Sequence, residues 1–298
     1  MHPAPNTALG VTLNVLASFL FAAMFSYTSL LSAMAGTELY GWRMLLTLPC
    51  LTLFMWLQGH WSLVTHLWQR LKQERWFWLT RLLSAVLLGV QLWLFLWAPA
   101  NQYALAVSLG YFMMPIAMVV VGFVGFGERL SGMQKLACLL AVAGVANQLS
   151  LPGALAWPTL VICFGYPLYF WLRRKTDSNH IGALWFDMLF SLPVALLFIW
   201  QGGYVAETLF QNHILLWQIA GLGLISAMAL ALQSLSAPHL NLSLFGLLAY
   251  VEPVLLLIVA LLLGEEIQSG EWPTFIGIWL SLLVLMAEGW KNRPRRRV

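Results

Sequence analysis

The chain has 298 residues, of which 61% are hydrophobic and 9% are charged, and its formal net charge is +4. A soluble domain usually has about 25% charged residues, so this composition excludes a soluble globular protein, whose surface so few charges cannot cover. The excess Lys and Arg flank apolar segments, so we expect no nucleic-acid partner.

Ten apolar segments follow one another along the chain, most of them close to the length of about 20 residues that a membrane helix needs. The predicted spans are Ala8–Ala33, Leu39–Leu57, Trp76–Ala98, Tyr103–Phe126, Met133–Gln148, Leu155–Leu172, Ile181–Gln201, Ile214–Ser236, Leu240–Leu263 and Trp272–Trp290. The sequence therefore predicts an all-α integral membrane protein of ten transmembrane helices.

The distribution of basic residues sets the expected orientation. If the chain crosses the membrane ten times, one side carries Arg70, Lys72, Arg75, Arg129, Lys135, Arg173, Arg174, Lys175, Lys291, Arg293, Arg295, Arg296 and Arg297. The other side has no Lys or Arg and carries Glu38, Glu207, Glu265, Glu266 and Glu271. Because cytoplasmic loops are enriched in Lys and Arg, both termini are expected in the cytoplasm.

An internal repeat relates the two halves of the chain. Seven of fifteen residues are identical between 42–56 and 186–200, at an offset of 144. A second pattern of Tyr, Pro and a Gly-Glu turn occurs as Tyr111, Pro115 and Gly127-Glu128, and again as Tyr250, Pro253 and Gly264-Glu265. We therefore predict five-helix repeats over 1–150 and 151–298, inverted because five is odd, with a substrate site near the midplane and alternating access from the two faces.

Specific segments then resemble a known family. Ala106-Val-Ser-Leu-Gly-Tyr-Phe-Met-Met-Pro115, Gly127-Glu-Arg-Leu-Ser-Gly-Met-Gln134 and Arg43 are similar to the EamA family of the drug/metabolite transporter superfamily, in its RarD-like subgroup. The resemblance implies a bacterial inner-membrane exporter with a cavity lined by spans 1, 3, 4, 6, 8 and 9. The chain departs from the subgroup at Glu252, where a small residue is expected, and at Asp187, where Glu is expected.

Four charged residues lie inside predicted spans and more than two residues from either end: Arg43, Arg81, Asp187 and Glu252. Each costs about 2.5–3.5 kcal/mol in lipid on insertion scales and should therefore face the protein interior or a partner. Arg81 matches Asp187 in depth and is its expected partner, whereas Arg43 lies at the opposite level. Glu252 is near mid-depth before Pro253, which frees a backbone carbonyl, so we interpret it as a substrate or proton site.

The predicted substrate-binding residues are Glu252, Tyr250, Tyr111, Gln91, Ser108, Trp93, Gln233 and Arg43, and the predicted coupling or gating residues are Asp187, Arg81 and Glu252. Tyr111 and Tyr250 occupy matching places in the repeats, which favours a central site. The alternative for each polar residue is a hydrogen bond between helices. For Arg81 and Asp187 the alternative is a structural ion pair.

The expected function is secondary export of a small polar or zwitterionic metabolite: an amino-acid-like compound, an amino-acid-derived metal chelator or a drug. The alternative is a flippase for lipids or lipid-linked intermediates. No phosphate loop, metal-ligand pair or Ser-His-Asp set occurs in a fitting context, so we expect no enzyme, cofactor or metal site. The expected partners are the substrate and membrane lipids, with the protein a monomer or homodimer.

Overall fold

A computed structural model describes residues 6–150, 156–208, 213–262 and 270–291. In this part of the chain the regular structure is entirely helical. The helices are α1 (Thr7–Thr28), α2 (Gly36–Leu57), α3 (Trp61–Gln73), α4 (Arg75–Ala100), α5 (Ala104–Phe126), α6 (Gly132–Leu149), α7 (Trp157–Lys175), α8 (Ile181–Gly202), α9 (Tyr204–Thr208), α10 (His213–Ser236), α11 (Leu242–Leu248), α12 (Val251–Leu262) and α13 (Trp272–Lys291).

Six helical segments are both long and apolar enough to cross a membrane: Thr7–Leu31, Arg75–Ala100, Ala106–Phe126, Ile181–Gly202, His213–His239 and Trp272–Lys291. Many of their Leu, Val and Trp side chains are exposed on the outside of the bundle. A surface of this kind is stable in lipid and not in water. The chain is therefore an all-α membrane protein.

Two elements differ from the sequence prediction. The predicted ninth span is interrupted at Ala249 and Tyr250, where α11 gives way to α12 just before Pro253. Pro253 has no N–H to donate to the carbonyl oxygen of Ala249, which instead accepts from the N–H of Glu252 at 3.3 Å. The loop predicted after the second span contains α3, whose Val64, Leu67 and Leu71 are buried. The i, i+3, i+7 spacing of these three residues is that of an amphipathic helix lying against the bundle.

Helices α6 and α13 pack against each other at one side of the bundle. Their backbones meet at two glycines: a Cβ atom added at Gly277 would lie 2.8 Å from the carbonyl oxygen of Leu140 and 3.0 Å from the Cα of Gly144. Small residues allow this close approach, which in lipid gives the van der Waals contact that holds helices together.

The end of the bundle where α4 begins and α5 and α7 end is called the basic face here, because Arg70, Lys72, Arg174 and Lys175 lie on it. At this face Arg70 of α3 donates a hydrogen bond to the carbonyl oxygen of Thr176, at 3.0 Å. This contact ties α3 to the end of α7.

At the opposite face, Glu38 joins α2 to α9. The sequence places this carboxylate on the side of the membrane without Lys or Arg, and the structure shows that it is buried. Glu38 is 1% exposed. Its carboxylate accepts hydrogen bonds from the backbone N–H groups of Tyr204 at 3.3 Å and Val205 at 3.0 Å. A charge buried in this way is stabilised by the otherwise unpaired donors of a helix start.

The packing of α6 on α13 makes a first testable prediction. Gly277→Leu should lower the melting temperature of the purified protein, because overpacking a tight contact costs about 1–3 kcal/mol. Gly289→Leu on the same helix is the matched control, since a Cβ there meets nothing within 4 Å. Equal melting temperatures for the two variants would show that the close contact does not hold α13 in place.

Candidate functional site

A cavity lies at the centre of the bundle between α1, α2, α4, α5, α7, α10, α11 and α12. Its walls are mostly apolar, with polar side chains from Asn14, Ser18, Arg43, Tyr111, Tyr166, Gln233 and Glu252. The free space between the walls is about 30 Å³, which holds roughly two water molecules. Small-molecule pockets usually measure about 300–1,000 Å³, so the cavity is too small in this conformation to hold a metabolite and must widen to admit one.

Arg43 is the buried cation of this cavity. It is 1% exposed, and its Nε donates a hydrogen bond to Ser226 Oγ on α10 at 2.9 Å. Within the described residues, Nη1 and Nη2 have no hydrogen-bond partner. Burying a charged group whose donors are not all hydrogen-bonded costs folding free energy. These two nitrogens are therefore unsatisfied donors that a ligand's acceptor atoms could bond.

Glu252 lines the same cavity from α12 and contributes its carboxyl group. In the described part of the chain it forms no ion pair with Arg43. The cavity therefore contains one guanidinium and one carboxyl group that do not pair with each other directly. Such a site can hold a ligand that carries charges of both signs.

Two tyrosines form a second polar element of the wall. The rings of Tyr111 on α5 and Tyr166 on α7 lie 6.3 Å apart, centroid to centroid. The sequence predicts Tyr111 as a binding residue but does not identify Tyr166. The available signal was that Tyr166 directly precedes Pro167 inside a span, the same relation that had drawn attention to Glu252.

The structure brings four of the predicted binding residues together in the cavity: Arg43, Tyr111, Gln233 and Glu252. It places the other four elsewhere. The Nε2 of Gln91 donates to the carbonyl oxygen of Val161 at 3.0 Å, and therefore joins α4 to α7. Ser108 is half-buried on α5 away from the cavity lining, and Trp93 faces a groove described below.

Tyr250 corrects the symmetry argument that paired it with Tyr111. Its hydroxyl donates to the carbonyl oxygen of Phe112 at 2.8 Å, and its ring lies in a core cluster shared with α6 and α13. The physical reason is the break between α11 and α12, where Tyr250 sits. The two copies of the Tyr-Pro pattern therefore do not contribute equivalent side chains to the cavity.

A second buried charge network lies nearer the basic face. Arg81 Nη1 and Asp187 Oδ1 are 3.9 Å apart, and both side chains are fully buried. Arg81 and Asp187 are the two residues that the sequence analysis pairs, because they lie at the same depth in their predicted spans. The hydroxyl of Tyr169 donates to Asp187 Oδ2 at 3.0 Å, and Arg173 donates to the Tyr169 hydroxyl at 2.6 Å. Arg173, predicted in a loop, is in fact 1% exposed.

The network joins four helices. Besides Tyr169, Arg173 on α7 donates to the carbonyl oxygen of His180 at 2.6 Å and to Ser234 Oγ on α10 at 3.3 Å. Arg81 lies on α4 and Asp187 on α8, and none of these residues lines the central cavity. Two guanidinium groups thus depend on one buried carboxylate.

A separate groove opens on the lipid-facing side between α2, α4 and α8. It measures about 230 Å³ and is lined by Tyr40, Leu82, Ala85, Val86, Gly89, Val90, Trp93, Phe190, Ser191, Val194 and Phe198. Leu82 and Val86 are 52% and 53% exposed, so the groove is open to the side. It shares no lining residue with the central cavity.

Comparisons with known proteins agree with this architecture. The sequence model of the EamA-like transporter family matches residues 8–147. An uncharacterized transporter of Haemophilus influenzae is 35% identical over 290 residues, 97% of each chain. The chloramphenicol-sensitive protein RarD of Pseudomonas aeruginosa is 38% identical over 285 residues, covering 95% of this chain and 94% of that one.

More distant comparisons extend over the same length. Protein RarD of Escherichia coli is 28% identical and covers 96% of each chain. A solved crystal structure superposes with a TM-score of 0.66 at 14% identity, over 98% of this chain and 100% of its own. The latter likeness concerns the fold alone. The described residues contain no cluster of three His, Cys, Asp or Glu side chains that could hold a metal ion.

The charge network predicts a strong effect of neutralising its single anion. Asp187→Asn leaves two buried guanidinium groups without a counter-charge and should destabilise the protein by about 3–5 kcal/mol. Glu74→Gln is the control, because Glu74 pairs with Arg70 at the exposed surface and such pairs contribute at most about 1 kcal/mol. Thermal unfolding in detergent measures the stability of both variants. If Asp187→Asn lowers the stability no more than Glu74→Gln does, Asp187 is not the counter-charge on which the two guanidinium groups depend.

Proposed function

We propose that this chain, which belongs to the EamA-like transporter family and its RarD-like subgroup, exports a small polar or zwitterionic metabolite across the bacterial inner membrane. That it is a membrane transporter follows from the family. The observation that carries the finer proposal is the central cavity, with Arg43 and Glu252 both in its lining. Charges of opposite sign suit a ligand with a carboxylate and an ammonium group.

The chemistry of the lining supports this substrate class. The two free Nη groups of Arg43 match the planar geometry of a carboxylate, which binds guanidinium through two parallel hydrogen bonds. The carboxylate of Glu252 complements an ammonium group. Apolar walls that include Phe21, Met24 and Met114 favour an apolar body between the two charges. Amino-acid-like compounds and amino-acid-derived metal chelators have this pattern, and the name of one relative keeps drugs among the candidates.

The transport mechanism we propose is alternating access. Ten spans form two inverted repeats, residues 1–150 and 151–298, with both termini in the cytoplasm and the basic face on that side. The small volume of the cavity supports a cycle in which the two halves must separate on one side before a substrate can enter. The Arg81–Asp187 network supports a gating role, since it ties α4 of the first half to α8 of the second.

Glu252 is the proposed proton or substrate site. The sequence has no ATPase motif, so the driving force must be an ion gradient or the gradient of the substrate itself. A carboxylate within the cavity can carry a proton in one direction and bind a substrate cation in the other. Transport at the same rate in liposomes with and without a pH gradient would contradict proton coupling.

Neutralising Glu252 tests the export function. Cells that produce the wild-type protein should accumulate a soluble compound in the medium, found by untargeted mass spectrometry of medium and cytosol, and Glu252→Gln should abolish that enrichment. Glu288→Gln on α13 is the matched control, because no α13 residue lines the cavity, and should export normally. Absence of any enriched soluble compound would contradict export, while equal export by Glu252→Gln would remove Glu252 from the mechanism.

A second candidate function is that of a flippase for lipids or lipid-linked intermediates, and the lateral groove between α4 and α8 favours it. A flippase needs an apolar path that is open to the bilayer. An exporter of soluble metabolites does not need this groove, so blocking it distinguishes the two candidates.

Filling the groove should leave export unchanged if the leading proposal holds. Val86→Trp places an indole in the groove, and Leu83→Trp is its control, because Leu83 is also 50% exposed on α4 but lies outside the groove. The measurements are metabolite export in cells and translocation of a fluorescent phosphatidylethanolamine in proteoliposomes. Lipid translocation that Val86→Trp slows and Leu83→Trp does not would favour the flippase.

A further inference from the structure

The Gly127-Glu128 turn is a repeated motif that the central cavity does not include. Helix α5 ends at Phe126, and Gly127 follows in the left-handed conformation, with φ of 65°. This turn directs Glu128 at the start of α11. The Glu128 side chain is only 7% exposed, so its charge depends on protein partners.

The partners of Glu128 lie on α11 and α7. The carboxylate accepts hydrogen bonds from the backbone N–H groups of Leu242 at 2.9 Å and Ser243 at 2.8 Å, and from the Ser243 hydroxyl at 2.6 Å. Arg174 at the end of α7 also bonds to it. Burial raises the pKa of Glu128, but the bonds from Ser243 and Arg174 outweigh this and hold that pKa below its usual value.

The start of α11 does not depend on Glu128 for its own cap. Asn241 already accepts from the backbone N–H of Leu244 at 2.7 Å. Glu128 accepts from the backbone N–H groups of Leu242 and Ser243, which Asn241 does not bond. Water can satisfy these two N–H groups when the start of the helix is exposed. The bond from Glu128 is therefore an additional tie between two helices that are distant in sequence.

The hydrogen bonds of Glu128 reach the first residues of the helical stretch that carries Glu252 into the cavity. Phe245, Ala249 and Glu252 all line the cavity from the stretch that begins at Leu242. The same stretch packs closely on α5, since a Cβ added at Gly246 would lie 3.2 Å from the carbonyl oxygen of Pro115. A shift of α11 away from α5 would open the cavity towards the basic face and break the bonds of Glu128.

We propose that Glu128 is a positioning residue which holds α11 against α5 and keeps the cavity closed towards the basic face. Release of its carboxylate from Leu242 and Ser243 accompanies opening to that side. Arg174 keeps the carboxylate oriented, so the tie re-forms when α11 returns. This inference rests on the proposed alternating access, but its test requires no substrate.

The test measures access to a cysteine in the cavity. Cys50, Cys138 and Cys163 are first replaced by serine, and Ser18→Cys places a single thiol in the cavity wall, where Ser18 is 4% exposed. A membrane-impermeant methanethiosulfonate reagent is then applied to inside-out and right-side-out vesicles. Lys72→Cys, exposed on α3, identifies in separate samples the vesicles whose basic face is accessible.

Glu128→Ala should raise the labelling rate from the basic face about tenfold or more, because bonds to a buried charged group are among the stronger hydrogen bonds. It should lower the rate from the opposite face, since the two openings alternate. Ser243→Ala removes one of the bonds to α11 and should act in the same direction with a smaller effect. Glu74→Ala, which removes an exposed carboxylate at the same face, should change neither rate.

Two outcomes would overturn the inference. Faster labelling from both faces would show that Glu128 only maintains general stability, and unchanged rates would show that it does not control access. If Glu128→Ala does not fold, the rates of Ser243→Ala decide the question. The labelling rates could follow the expected pattern although the protein exports no compound. That result would support the role of Glu128 in controlling access and contradict only the proposed function.

Discussion

A charged group buried in a membrane protein must find an opposite charge or hydrogen-bond partners within the protein, and several contacts between the helices of this bundle follow from that constraint. Asp187 is bonded by Tyr169 and lies beside Arg81, Glu128 accepts from α11, and Glu38 accepts from the start of α9. Each of these groups joins helices that are far apart in sequence. These three buried polar sites therefore help to specify which helices are neighbours. Apolar contacts alone specify neighbours poorly in a bilayer, because lipid tails are as apolar as the side chains.

In the central cavity the described structure leaves this constraint incompletely met, as it also does for some atoms of the Arg81–Asp187 pair. Arg43 has one bond from Nε to Ser226, while its two Nη groups have none. Leaving them without acceptors costs stability that the surrounding bundle must supply. Natural proteins keep such unfavourable arrangements at functional sites, where a ligand completes them. Arg43 differs from Arg81 in its counter-charge: within the described residues Arg81 forms an ion pair with Asp187, whereas Arg43 forms none.

Much of this arrangement follows from the sequence. Hydropathy located the six helical segments that are long and apolar enough to cross a membrane. Counting depth along two helices was enough to pair Arg81 with Asp187, because a helix rises by a fixed amount per residue. Segment similarity identified the family. The prediction failed where rotation about a helix axis matters: Tyr250 turned away from the cavity at the break before Pro253, and Tyr166 turned towards it. Residue spacing cannot fix that rotation when hydrophobic residues surround the whole helix. The burial of Arg173 was also not predicted. A basic residue at the end of a helix is expected to be exposed, and its hydrogen bond to Tyr169 is not evident from the sequence.

The most direct test of the central claim is ligand binding by the purified protein. Melting temperatures would be measured for the wild type, Arg43→Gln and Glu252→Gln with a panel of amino acids, their amides, which lack the carboxylate, and the matching acids, which lack the amino group. The account predicts that some zwitterionic members raise the melting temperature of the wild type, that their single-charge analogues do so much less, and that both variants lose the effect. Stabilisation of both variants to the same extent as the wild type, or equal stabilisation by amides and acids, would contradict the claim that Arg43 and Glu252 bind the two ends of the substrate.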